Sequence, residues 1–179
     1  MSRRFGNEDK LLADLKGQAL LAYCLDTAAS APFTDRFIVT FDDERALLGL
    51  ARGFNIIHNP DPELGMGAAL AGGVRHILQL GHSQACILLG DMPFVTTHYL
   101  QNLMKRSSQY DITYSQNNER DMPPAIFKGA ALKVLTQLTG DKGAQSLDLS
   151  GFKIDHLQLP DEMARDMDEP NDFDHANNI

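Results

Sequence analysis

The stretch "ACILLGDMPF" carries an unbroken apolar run into Gly90, Asp91, Met92 and Pro93. Glycine lets the chain turn away and proline fixes its exit, which leaves the Asp91 carboxylate at the end of the apolar run. A carboxylate so placed suits Mg²⁺, which takes one or two protein carboxylates and completes its shell with water and phosphate. The same aspartate also suits a helix N-cap or a turn, and its position alone does not separate these uses. A second acidic group stands in "ARDMDEPNDF", where Asp166 and Asp168 alternate and so share one face of an extended segment. Asp172, after Pro170, suits the start of a short helix, and a solvated acidic tail is the plainer use of the whole run.

Two further stretches suit an anion. The chain begins "MSRRFGNEDKLLADL", in which Ser2, Arg4, Gly6 and Lys10 supply a hydroxyl, a guanidinium, a flexible turn and an ammonium before an expected helix. That set matches a triphosphate, with Arg binding bidentately and Lys acting as a mobile point charge. A loose basic terminus is the competing account. In "NPDPELGMGAAL", Pro60 and Pro62 stiffen a loop, Gly65 and Gly67 permit close backbone approach, and a helix rich in small residues follows. Amides at a helix start grip anions or base edges, although a glycine pair is more often simply a turn. The six histidines do not group, and nothing like H-E-x-x-H occurs.

These residues need elements to hold them. "RFIVTF", "FNIIHNP", "ACILLGD", "DITYSQ", "PAIF" and "FKIDHLQL" read as strands. "GQALLAYCLDTAAS", "DDERALLGLARG", "MGAALAGGVRHILQLG", "TTHYLQNLMKRSSQ" and "GAALKVLTQLTG" carry helical spacing with caps such as Thr96 or Thr97 and stops such as Gly53, Gly81 and Gly140. The alternation predicts an α/β fold, a three-layer, doubly wound, Rossmann-like and mostly parallel sheet. "ACILLGD" reads as its central strand, buried on both faces. In such sheets ligands sit beyond the carboxyl ends of the strands, where Asp91 falls. Residues 1–179 read as a single domain, with the regular alternation interrupted around residues 110–160.

Bulk properties narrow the partners. A formal net charge of -8 argues against nucleic acid, which needs clustered Lys and Arg. No apolar run approaches the roughly 20 residues of a membrane span. Cys24 and Cys86 form no CxxC, and with no signal peptide they point to a reduced, cytoplasmic setting.

Taken in order, "SRRFGNEDKLLADLKGQALL", "NPDPELGMGAALAGGV", "LLGDMPFV", "PPAIF", "TGDKGAQSL" and "DMDEPNDF" resemble the MobA-like nucleotidyltransferase family, most closely its molybdenum cofactor cytidylyltransferase branch. The resemblance spans nearly the whole chain. It implies a nucleotide-diphospho-sugar transferase type of fold and a Mg²⁺-dependent transfer of a nucleoside monophosphate from a nucleoside triphosphate, CTP favoured, to a molybdopterin-type acceptor. Ser2, Arg4, Phe5, Gly6 and Lys10 match the second half of the family's loop L-A-[AG]-G-x-S-x-R-[FM]-G and the lysine after it. By that match Arg4 and Lys10 hold the triphosphate. The segment from Gly65, Met66, Gly67 and Ala68 to Ala69 matches the part that contacts the base. Asp91 and Asp168 match the two metal-side acids, and Lys10 and Asp91 the catalytic pair.

The chain departs from the family in places. Met122 stands where the family often has Gly, and Gln145 where it usually has Arg, so the acceptor is less defined than the fold. Met1 falls inside the loop motif, and the expectation is that an upstream strand and the glycine-rich half of the loop belong before it. Two other functions fit the same residues. One is a binder that delivers the cofactor to a molybdoenzyme without catalysis; the other is a transferase acting on a sugar phosphate or similar small phosphorylated alcohol. Retained Lys10, Asp91 and Asp168 favour an enzyme, since a pure binder has no need of a two-carboxylate metal site.

Overall fold

The computed structural model describes residues 9–165 and 167. After a 3-10 turn, Lys10–Leu12, comes a small antiparallel hairpin, β1 (Asp14–Leu15) and β2 (Gln18–Ala19), followed by α1 (Leu20–Ser30). The helix expected directly after Lys10 is therefore delayed. Lys16 at φ 52° and Gly17 at φ 92° make a tight turn that only short-range left-handed conformations allow. The alternating part follows as β3 (Phe37–Thr40), α2 (Asp43–Leu50), β4 (Asn55–His58), α3 (Met66–Gln79), β5 (Gln84–Ile87) and α4 (Thr97–Arg106). Then come β6 (Ile112–Asn117), β7 (Arg120–Lys128), α5 (Gly129–Val134) and β8 (Ile154–Gln158).

β3 and β4 pair in parallel. The remaining long strands form a four-stranded sheet in the order β5-β7-β6-β8, in which β6 and β8 are parallel and β7 runs against both β5 and β6. Hence β5, β6 and β8 point one way and β7 is the exception. Its hairpin with β6 turns at Asn118 and Glu119, at φ 47° and 63°. Pro123 and Pro124 are tolerated inside β7 because the register slips there: Tyr114 faces Ala125 while Ser115 faces Met122, leaving the prolines outside the ladder. "PAIF" is thus the end of a nine-residue strand.

Alternation along the strands sends side chains to two cores. Val39, Ile57, Ile87, Tyr114 and Phe127 meet Ala71, Val74 and Ile77 of α3 and Leu132 of α5 on one face. On the other, Leu88 joins clusters with Leu21, Leu25 and Ala28 of α1 and with Tyr99 and Leu100 of α4. Helices therefore cover both faces, as the doubly wound reading requires. Caps follow the local chemistry: Asp42 accepts from the Arg45 amide at 2.9 Å to start α2, and Thr96, not Thr97, accepts from the Tyr99 amide at 3.2 Å to start α4.

One expectation fails in an informative way. The "ACILL" strand is shorter than its apolar run, ending at Ile87, and Ala85 to Leu89 are only half-buried. A strand buried on both faces and paired on both edges would be fully covered. Here β5 is paired to β7 alone among the described residues. No helix among them is long and apolar enough to cross a membrane.

Candidate active site

The carboxyl ends of β3 and β5 open onto the same place, and residues 9–11 hold them together. At the end of β3, Thr40 accepts the Asp42 amide at 3.1 Å, which orients the start of α2. Arg45, in its first turn, lies 5.3 Å over the Phe41 ring and donates two hydrogen bonds of 2.6 Å to the Asp9 carboxylate. The same carboxylate accepts the Leu11 amide at 3.0 Å and so caps the turn that presents Lys10. Lys10 then reaches across to β5, where its Nζ lies 2.7 Å from Asp91 Oδ2. The two side chains are 10% and 24% exposed, so the pair is sheltered but reachable.

Asp91 owes its position to its neighbours. A Cβ on Gly90 would stand 2.9 Å from Leu21 Cδ1 and 3.4 Å from Leu11, so glycine lets the strand end pass close beneath both. Buried Met92 and Val95 then anchor the exit to α4. The Asp91 carbonyl accepts the amide of fully buried Met167 at 3.3 Å, which brings Met167 to the same strand end. Asp166 and Asp168 themselves lie outside the described residues, as do Ser2, Arg4 and Gly6, and Asp172 at the chain's end.

The segment Gly65 to Ala68 forms the start of α3, with Gly65 at φ 88° as its N-cap. Its amides are used within the chain. Met66 donates to the Asp141 carboxylate at 3.1 Å, and Gly67 and Ala68 donate to the Gly140 carbonyl at 2.8 and 3.2 Å. A Cβ on Gly67 would meet the Lys142 and Gly140 carbonyl oxygens. The "GMGAA" and "TGDKGA" stretches, 75 residues apart, are thus one substructure. Next to it Gln145 donates its side-chain amide to the Asp121 carbonyl, so the two family departures, Gln145 and Met122, lie on adjoining walls.

Arg45, Gly67, Gly90, Asp121, Lys142 and Gln145 line one cleft of about 970 Å³. Carboxylates have room for several acceptor contacts and Lys10 takes one, so Asp91 fits the share of one carboxylate in a Mg²⁺ site. The described residues hold no cluster of three or more His, Cys, Asp or Glu able to bind a metal, so a dedicated all-protein cage is not built among them. Burial pushes the nearby Cys24 thiol up to about 12, with the Asp91 charge adding to it, and leaves a neutral, unreactive sulfur under the site. The sequence reading missed Asp9 and Arg45. Nothing short of the fold marks them, because their role is to aim a third residue.

The family model for the MobA-like NTP transferase domain matches residues 1–154. The chain belongs to this family of nucleotidyltransferases. No curated protein has a sequence that matches it. Among solved structures it is similar to Rv0371c from Mycobacterium tuberculosis H37Rv, at 23% identity and TM-score 0.82 over 100% of this chain and 93% of that one. A manganese complex of Rv0371c aligns at 19% identity and TM-score 0.73 over 97% and 94%. Molybdopterin-guanine dinucleotide biosynthesis protein A from Archaeoglobus fulgidus aligns at 18% identity and TM-score 0.70 over 99% and 93%. At these identities the likeness is one of fold.

Proposed function

We propose that residues 1–179 act as one domain that moves a nucleoside monophosphate, CMP in preference to GMP, from a triphosphate to a phosphorylated acceptor of the molybdopterin type. The observation that carries this is the Lys10–Asp91 pair, 2.7 Å long, at the carboxyl end of β5. A cation for phosphate and a carboxylate for a divalent ion meet where doubly wound sheets bind their ligands.

In the reaction a phosphate oxygen of the acceptor attacks the α-phosphorus. The bond from that phosphorus to the bridging oxygen of the β-phosphate breaks, and pyrophosphate leaves with the electron pair. The protein needs no covalent intermediate; it aligns the two ends and offsets the charge that grows on the leaving group. By the resemblance, Lys10 and Arg4 would hold the pyrophosphate side, and Ser2 and Gly6 would join them in binding the nucleotide. Gly65, Met66, Gly67 and Ala68 border the base. Asp91 and Asp168 would hold Mg²⁺, which would supply positive charge to neutralise part of the charge on the phosphates. Manganese in a structure of the same fold supports a divalent ion here. Free thiols at Cys24 and Cys86 suit a reducing cytoplasm.

Calorimetric titration with CTP and with GTP, each with Mg²⁺, tests the reading on the wild type and on Lys10→Met. Expected is binding of CTP that weakens at least tenfold in the variant, the loss of one charge-assisted contact. Absence of binding by both nucleotides in the wild type overturns it.

A further inference from the structure

β7 runs against its neighbours, so it begins at the end of the sheet where β5 and β6 finish. Its first residues, Arg120 and Asp121, therefore stand at the carboxyl ends of those strands, where such sheets take their ligands. Gln116 lies across from Asp121 in the register, and its side-chain amide donates to Asp121 Oδ1 at 3.1 Å. His156 Nε2, on β8, lies 3.2 Å from the same oxygen. The Gln145 side-chain amide donates to the Asp121 backbone carbonyl. The residue is thus fixed from three sides. Its Oδ2 carries no hydrogen bond among the described residues, and the side chain is 29% exposed.

Tyr114 shares a face of β6 with Gln116, two residues on. Its ring stacks on His156 at 6.4 Å and meets Phe127 edge-on at 5.5 Å. It is 5% exposed, and its hydroxyl has no hydrogen-bond partner among the described residues. Burial pushes that hydroxyl up to about 12, with the Asp121 charge adding to it, so it stays a neutral O–H. Buried polar groups are nearly always paired, so an unpaired one in a cleft wall marks a place for a ligand atom. Tyr114 and Asp121 both line the cleft, with Met122, Pro123 and Ala144 beside them. Charge decides which part of a ligand can come here. The Asp121 carboxylate repels a phosphate, which belongs with Lys10. A carboxylate with an open oxygen suits a pair of neutral N–H donors instead. The apolar Met122, Pro123 and Ala144 favour a flat ring over a sugar, whose hydroxyls would go unpaired against them.

We infer that Asp121 and Tyr114 are specificity-determining residues for the acceptor, and that together they read the paired N–H donors of an aminopyrimidinone ring such as that of a pterin. The assignment of that ring to an acceptor rests on the transfer proposed above. The acceptor then lies across the cleft, with its phosphate end towards Lys10 and its ring end on β7. Asp121 accepts from the exocyclic amino group and the ring N–H next to it. The Tyr114 hydroxyl donates to an acceptor atom of the same ring. Neither residue touches a reacting atom; they decide which acceptor is held.

The test is calorimetric titration with pterin itself, with lumazine, which has an oxo group where pterin has its amino group, and with ribose 5-phosphate. Each is titrated into the wild type, Asp121→Asn and Tyr114→Phe. Expected is binding of pterin roughly tenfold tighter than lumazine by the wild type, a preference that Asp121→Asn removes and Tyr114→Phe weakens. Should a variant fail to fold by circular dichroism, the ratio of pterin to lumazine binding in the wild type still decides. Equal binding of the two by the wild type overturns the inference, as does a preference that survives in Asp121→Asn. Ribose 5-phosphate bound more tightly than pterin, and weakened by Asp121→Asn, overturns it in favour of a sugar. CTP titrated into the same wild type separates this subsite from the transfer reading. Pterin bound without CTP leaves the subsite standing and removes the transferase; CTP bound without pterin does the reverse.

Discussion

Lys10 and Asp91 are 81 residues apart in the chain and 2.7 Å apart in space. Neither is held there by chance. Asp9 and Arg45 fix the turn that carries the lysine, and Gly90 and the buried Met92 fix the strand end that carries the aspartate. Replacing Asp91 by Asn keeps the shape and removes the charge. The expected result is a loss of transfer of about 10²–10³, the usual cost of removing one electrostatic contact to the developing charge, with circular dichroism unchanged. A variant with wild-type turnover would remove Asp91 from the mechanism.

Arg45 tests positioning. It donates to Asp9 and sits about 20% exposed, as does its partner. Arg45→Met should leave the sheet intact and loosen the turn that aims Lys10. The account expects KM for the triphosphate to rise about tenfold, with a smaller effect on kcat. Steady-state kinetics separate this from general destabilisation, which would lower the active fraction and leave KM alone.

Two glycines near the cleft should respond differently. A Cβ at Gly67 meets backbone carbonyls of Gly140 and Lys142, which cannot yield without moving the loop. Gly67→Ala should therefore cost about 1–3 kcal/mol and weaken nucleotide binding. At Gly90 the nearest atom is Leu21 Cδ1, the end of a side chain that can rotate. Gly90→Ala should cost less, and denaturant titration of both variants checks the order.

Cys24 gives an alkaline signature. Its thiol is neutral in the folded state up to about 12, because burial opposes the thiolate and the Asp91 charge adds to this. In the unfolded chain a cysteine titrates near 8.5. The folded value is raised, so the contribution is fully present below about pH 8.5 and is lost as pH climbs towards about 12. Cys24→Ala should reduce the fall in Tm across that alkaline window, as followed by thermal melts. An unchanged slope would contradict the burial of this thiol.

Much of this molecule is readable in its residues. The alternation of β-branched runs with capped helical stretches gives the layered fold. Asp91 stands out because glycine and proline bracket it after an apolar run. What was hidden depends on long-range pairing. The Asp9–Arg45 contact aims Lys10 across 36 residues, and no local pattern announces it. Likewise "GMGAA" and "TGDKGA" read as separate turns, although the amides of one are capped by the other. The hairpin at Lys16 and Gly17 was missed because its strands are two residues long, too short for a period to show. The reading of "ACILL" as a central strand buried on both faces did not hold, because β5 ends at Ile87, is only half-buried and pairs with β7 alone among the described residues.

The central claim is transfer with release of pyrophosphate. The direct measurement is pyrophosphate production from CTP with Mg²⁺ and molybdopterin, using protein made from its own gene, beside Asp91→Asn. The account predicts release that requires the acceptor and collapses in the variant. No release above the variant's level, with CTP and with GTP, would contradict it and leave a cofactor-carrying role as the better description of the site.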